Sequence, residues 1–104
     1  MKSKSTVYES SLELLKDMAR DVFKGEDVTV ILFGSRGRGD YLKTSDMDVG
    51  ILPGKEMDES KVALLQERIE TSNIPYKVDV VDLSRASKEF TQVVLKEGVI
   101  IWES

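Results

Sequence analysis

Hydrophobic positions early in the chain recur at spacings of three and four: Leu12, Leu15, Met18, Ala19, Val22 and Phe23. That period gathers them on one face of a helix. Ser10 followed by Glu13 offers a capping box for its start, and Thr6 followed by Glu9 offers another one turn earlier; Gly25 is a natural stop. Val28–Phe33 breaks the period. It is β-branched and apolar on both faces, the pattern of a central buried strand. Residues 34–45, GSRGRGDYLKTS, form a polar connection with three glycines. From Asp46 to Leu52 the pattern alternates, with Asp46, Asp48 and Gly50 on one face and Met47, Val49 and Ile51 on the other. Pro53 and Gly54 end this strand.

Asp58 is a natural cap for a second helix, with Val62, Leu65 and Ile69 as its buried stripe and Asn73 near its end. Tyr76–Leu83 predicts a third strand. A short helix from Ser84 or Ser87 to Glu97 follows, with Phe90, Val93 and Val94 inward and Gly98 at C′. Val99–Trp102 predicts a last short strand at an edge. The order predicts an α+β domain: a small mixed β-sheet with helices mainly on one face. Residues 1–104 fit a single domain, with no repeat or linker to divide them.

Composition narrows the chemistry. The chain has neither Cys nor His, which excludes disulfides, thiolate zinc sites, a Ser-His-Asp triad and imidazole acid–base catalysis. The longest purely apolar stretch, Val30–Phe33, is far short of a membrane span, and Lys2 and Lys4 precede no apolar segment of the signal-peptide kind. The expected setting is cytoplasmic. Residues 1–45 carry 8 basic and 7 acidic side chains, whereas residues 46–104 carry 7 and 12. The acidic second half disfavours a long nucleic acid as partner, because such binding rests on many Lys/Arg–phosphate contacts. Carboxylates that converge would instead suit a hard cation.

Two segments hold the candidate chemistry. Asp46 and Asp48, at i and i+2 of a strand, project from one face. Like charges held that close repel, and a divalent cation between them, Mg²⁺ being the natural one, relieves the conflict. An exposed strand face or an Asx-turn is the alternative for this pair. Upstream, a strand running into Gly34-Ser35 lets backbone N–H groups approach an anion, while Arg36 and Arg38 can clamp phosphate oxygens. The segment is neither a P-loop nor a dinucleotide fingerprint, since the lysine ending and the helical crossover are absent. A plain connector is its alternative. A third carboxylate, Asp79, interrupts the apolar run of the third strand, where an uncompensated charge is costly. Asp82 competes for this role but is better placed to cap the helix after it.

At these residues the chain resembles the DNA polymerase β-like nucleotidyltransferases. Gly34-Ser35, a spacer of ten residues, Asp46-x-Asp48 and the later strand Asp79 match that signature, and GSRGRG…SDMDVGIL with VDVVDL is similar to the minimal nucleotidyltransferases. The likeness spans about residues 10–102. Gly37 stands where that family often has Ala, and Met47 where it often has Ile or Leu. The resemblance implies a polymerase β-like palm that binds ATP with two Mg²⁺ ions and transfers AMP to an acceptor hydroxyl. It implies that Asp46, Asp48 and Asp79 are the metal-holding catalytic carboxylates, with Gly34 and Ser35 on the departing pyrophosphate. It also implies a partner, a small helical HEPN-domain protein whose tyrosine is the acceptor, giving the chain an antitoxin role. Two other readings stand beside it: a non-catalytic nucleotide-binding module that neutralises its partner by contact, and a transferase acting on a small molecule or RNA.

Overall fold

The computed structural model describes residues 7–33 and 47–104. Helix α1 (Val7–Val22) leads through a turn into β1 (Val28–Phe33); β2 (Met47–Pro53), α2 (Ser60–Glu70) and β3 (Val78–Asp82) follow. A 3₁₀ turn (Leu83–Arg85), α3 (Lys88–Glu97) and β4 (Val99–Glu103) complete the order. The sheet runs β3-β2-β1-β4. β1 pairs antiparallel with β2 and β4, and β2 pairs parallel with β3 through the crossover helix α2. This is the expected α+β architecture with a small mixed sheet.

Alternation along the strands builds two layers. Met47, Val49 and Ile51 are fully buried on one face with Val30 and Leu32 of β1 and Val78 of β3. Leu15, Ala19 and Val22 from α1, Phe23 from the turn just after it, and Leu65 and Ile69 from α2 cover that face. Each fully buried large side chain contributes about 1.5–3 kcal/mol, so this layer is the main source of stability. The opposite face carries a smaller cluster, in which Ile31, Leu83 and Val94 are buried and Phe33, Leu52 and Val81 pack against them. Two helices therefore lie on one face, while α3 and the 3₁₀ turn lie on the other.

Several local expectations are refined. α1 is already helical over Val7–Ser10, so Ser10 is not its start, and Thr6 of the earlier start lies outside the described residues; Gly25 closes the turn after the helix at a φ of +86°, a conformation favouring glycine. β2 runs on through Pro53, and Asp46 lies outside the described residues. The third strand is shorter than Tyr76–Leu83 at both ends. The Asp82 side chain accepts from the Ser84 N–H and turns the chain into the 3₁₀ segment. α2 has Glu59 at its cap position with no side-chain bond, and Asp58 just before it accepts from the Ser60 N–H at 3.1 Å. Ser87, not Ser84, caps α3, accepting from the Phe90 N–H.

Two expectations for α3 fail. Phe90 and Val93 are 41% and 51% exposed rather than inward, because Leu83 fills the space beside Ile31 and leaves room only for Val94. Gly98 does not adopt a left-handed C′ conformation: its φ is −85°. Glycine is needed there for space, since a Cβ would lie 2.5 Å from Ile31 Cγ2 and 2.6 Å from the Val94 carbonyl.

Candidate functional site

The face that carries α3 also carries the acidic residues. In the β2–β3 ladder Asp48 stands opposite Asp79, and in the β1–β2 ladder Phe33 stands opposite Asp48. Phe33, Asp48 and Asp79 thus form one row across three adjacent strands, where β1 ends and β2 and β3 begin. Neighbouring strands run about 4.8 Å apart, so the two carboxylates project side by side from the same face. Both are half-buried. Asp79 makes no ion pair with another described residue. Two like charges in register are an unfavourable cross-strand pair unless something positive lies between them.

Packing around the row explains its neighbours. Gly50 lies two residues beyond Asp48 on the same face; a Cβ there would meet Leu83 Cδ1 at 2.8 Å and Phe33 Cε1 at 3.3 Å. The glycine lets Leu83 seat against the sheet next to the acidic pair. Phe33 in turn meets Phe90 of α3 edge-to-face, with ring centroids 5.7 Å apart. An apolar wall therefore flanks the carboxylates on the β1 side.

Asp82 belongs to other work. It is three residues past Asp79 and so faces the opposite side of β3. Its carboxylate accepts from the Ser84 N–H at 3.0 Å and the Ser84 hydroxyl at 2.6 Å, with Arg85 Nε 3.8 Å away. Asp82 thus caps the 3₁₀ turn that follows it, while Ser87 caps α3. Arg85 is also hydrogen-bonded to Glu59, whose carboxylate raises its pKa above the ordinary guanidinium value.

Gly34, Ser35, Arg36, Arg38 and Asp46 lie outside the described residues. The segment holding them joins Phe33 to Met47, so it leaves and rejoins the sheet at the end where the row stands. Among the described residues no three acidic side chains cluster. Asp48 and Asp79 are nonetheless hard oxygen donors on one face, the kind that suits Mg²⁺ shared with phosphate oxygens. One polar residue near the row was missed by the sequence reading. Gln66 of α2 bonds the backbone of β3 at Val78 and Val80, on either side of Asp79. Its signal was a polar residue within the stripe 62, 65, 66, 69, where a helix facing a core should be apolar.

A mixed four-stranded sheet with paired strand carboxylates at one end defines the class. Residues 14–104 match the family described as Polymerase beta, Nucleotidyltransferase, and the chain belongs to that family. It is 35% identical over 77 residues to a Haemophilus influenzae protein named Probable protein adenylyltransferase MntA, covering 74% of this chain and 68% of that one. It is 32% identical over 73 residues to the protein adenylyltransferase MntA of Shewanella oneidensis, covering 70% of this chain; the match spans only 52% of that relative's length.

Solved structures share the fold. A mutant of the toxin–antitoxin pair MntA-HpeT superposes with a TM-score of 0.70 at 22% identity, over 89% of this chain and 73% of that one. The complex of a tri-AMPylated Shewanella oneidensis HEPN toxin with its MNT antitoxin gives 0.67 at 23% identity, over 92% and 72%. A toxin–antitoxin structure with AMP-PNP gives 0.65 at 24% identity, over 86% and 73%.

Proposed function

We propose that this chain is a Mg²⁺-dependent adenylyltransferase that moves AMP from ATP to a hydroxyl of a HEPN-type partner protein, a tyrosine side chain, and so acts as its antitoxin. The observation that carries the reading is the register of Asp48 against Asp79, one residue into β2 and β3, at the end of the sheet where β1 finishes. The two adenylyltransferase relatives and the AMPylated toxin complex support the acceptor class. A reaction that draws on ATP also fits the cytoplasmic setting expected from the sequence.

The chemistry needs no His or Cys. The acceptor oxygen bonds to the α-phosphorus, the bond to the β-phosphate oxygen breaks, pyrophosphate leaves and the acceptor proton is released. Asp46, Asp48 and Asp79 supply oxygen donors for the cations, and Gly34, Ser35, Arg36 and Arg38 hold phosphate oxygens. Bound Mg²⁺ supplies charge neutralisation to the attacking and leaving oxygens. Asp79, at the free side of the pair, faces the acceptor, and its contribution is greatest in the transition state.

Wild type, Asp79→Asn and Asp82→Asn are each incubated with ATP, Mg²⁺ and the co-purified partner, and intact-protein mass reads added AMP. Asp79→Asn should lower transfer by about 100-fold or more, the scale of removing one charge-stabilising group, with nucleotide and partner binding kept. Asp82→Asn should keep most activity, because Asn still accepts from the Ser84 N–H. A wild type that silences the partner yet adds nothing replaces this reading with the non-catalytic one. An essential Asp82 beside a dispensable Asp79 overturns the assignment of the third carboxylate.

A further inference from the structure

β3, the strand that carries Asp79, lies at an edge of the sheet. Alternate residues of a strand direct their backbone groups to opposite sides. Lys77 turns its carbonyl toward β2, where it accepts from the Met47 N–H at 2.9 Å. Val78 and Val80 turn their backbone N–H and carbonyl groups outward, where an edge strand ordinarily leaves them to water. Here Gln66 takes one of each. Its Nε2 donates to the Val78 carbonyl at 2.7 Å, and its Oε1 accepts from the Val80 N–H at 2.8 Å. A single planar carboxamide bonds β3 as one residue of a further strand would.

The amide is itself held. Nε2 also donates to Glu70 Oε2 at 3.2 Å, which favours the nitrogen on the Val78 side. Leu65 and Ile69, on either side of Gln66 in α2, are buried in the main core, so the clamp stands on a rigid element.

We propose that Gln66 is a positioning residue for Asp79, fixing the peptide groups before and after it so that its carboxylate stays aligned with Asp48. The proposal rests on the reading of Asp79 as a metal-holding carboxylate. Edge protection alone would be served at any position by a charge, a proline or a bulge. This clamp instead brackets one residue, the carboxylate of the row, while β2 holds that residue from the other side. Such control matters because small displacements of a reacting constellation cost large factors in rate.

Gln66→Met keeps the length of the side chain and removes both bonds; Gln66→Glu keeps the acceptor for Val80 and loses the donor for Val78. Leu65→Val on the same helix is the control for lost packing. Amide exchange at Val80, with kcat and KM for ATP in the AMP-transfer assay, provides the readout. Gln66→Met should expose the Val80 amide to exchange and lower kcat about 10- to 100-fold, the range for residues that orient metal ligands, while KM stays near wild type. Gln66→Glu should fall between, and Leu65→Val should keep its kcat. Wild-type kcat in Gln66→Met, with Asp79→Asn inactive, overturns the positioning role and leaves the reading of Asp79 intact. An active Asp79→Asn overturns that reading and this proposal with it. An equal loss of kcat in Leu65→Val reduces the clamp to ordinary packing and overturns it too.

Discussion

Replacing Gly50 by alanine puts a methyl carbon 2.8 Å from Leu83 Cδ1, 3.2 Å from Leu83 Cγ and 3.3 Å from Phe33 Cε1. Carbon atoms in good contact stand about 3.5–4.0 Å apart, so Leu83 has to retreat by about 1 Å. It has little room, being 2% exposed and packed with Ile31 and Val94. Overpacking of this kind costs about 1–3 kcal/mol, and losing a flexible strand glycine returns about 0.5–1 kcal/mol. Gly50→Ala should therefore destabilise by about 0–2.5 kcal/mol, with the midpoint at ~1 kcal/mol. Leu83→Ala alone leaves a cavity and should cost about 2–5 kcal/mol. In the double variant the new methyl enters space that Leu83 has vacated. The double should then be less destabilised than the sum of the singles, by about 1–2 kcal/mol, read as midpoints of urea denaturation at unchanged slope. Additivity within about 0.5 kcal/mol would refute the claim that Leu83 is what excludes a side chain at position 50.

Mg²⁺ and ATP should bind more tightly together than either alone, and Asp46→Asn combined with Asp48→Asn should remove that gain without lowering the unfolding temperature; calorimetry showing ATP affinity indifferent to Mg²⁺ rejects the site. At the start of α2, the hydroxyl and then the N–H of Ser60 hold the Asp58 carboxyl below its ordinary pKa. Because the folded value is depressed, the stabilisation is complete above the ordinary carboxylate pKa and is lost as pH falls through the lowered one. An NMR titration in which Ser60→Ala leaves the Asp58 midpoint where it was would contradict this.

The strands were legible where a short-range pattern decides them. Val28–Phe33 is apolar but for Thr29 because both its faces are covered, and its bounds agree with the structure. The alternation of Met47, Val49 and Ile51 predicted which side of β2 is buried. Which strands become neighbours is a long-range matter. Alternation cannot show that β3 lies parallel to β2 with Asp79 opposite Asp48, and that likeness entered only through the family signature. Phe90 and Val93 were misassigned for a related reason. The helical period marks an apolar face, but the size of the cluster on the sheet decides how much of that face is covered. Gly98 read as a left-handed cap because glycine so often serves there, whereas its actual constraint, the methyl of Ile31, comes from a distant strand.

The parallel pairing of β2 with β3 has a consequence for the order of folding. Every other ladder in the sheet is antiparallel, whereas this one closes only after the chain has travelled the length of α2 and returned. Crossovers close slowly, since chain entropy is lost before the contacts that reward it form. Until that closure Asp48 and Asp79 are strangers in a fluctuating chain, and the repulsion between them does not exist. Pairing of β3 with β2 brings the two carboxylates into register, and the Gln66 amide of α2 bonds Val78 and Val80 of that same strand. The acidic row in this fold is thereby tied to the parallel ladder: the β1–β2 pairing alone does not bring Asp48 and Asp79 together.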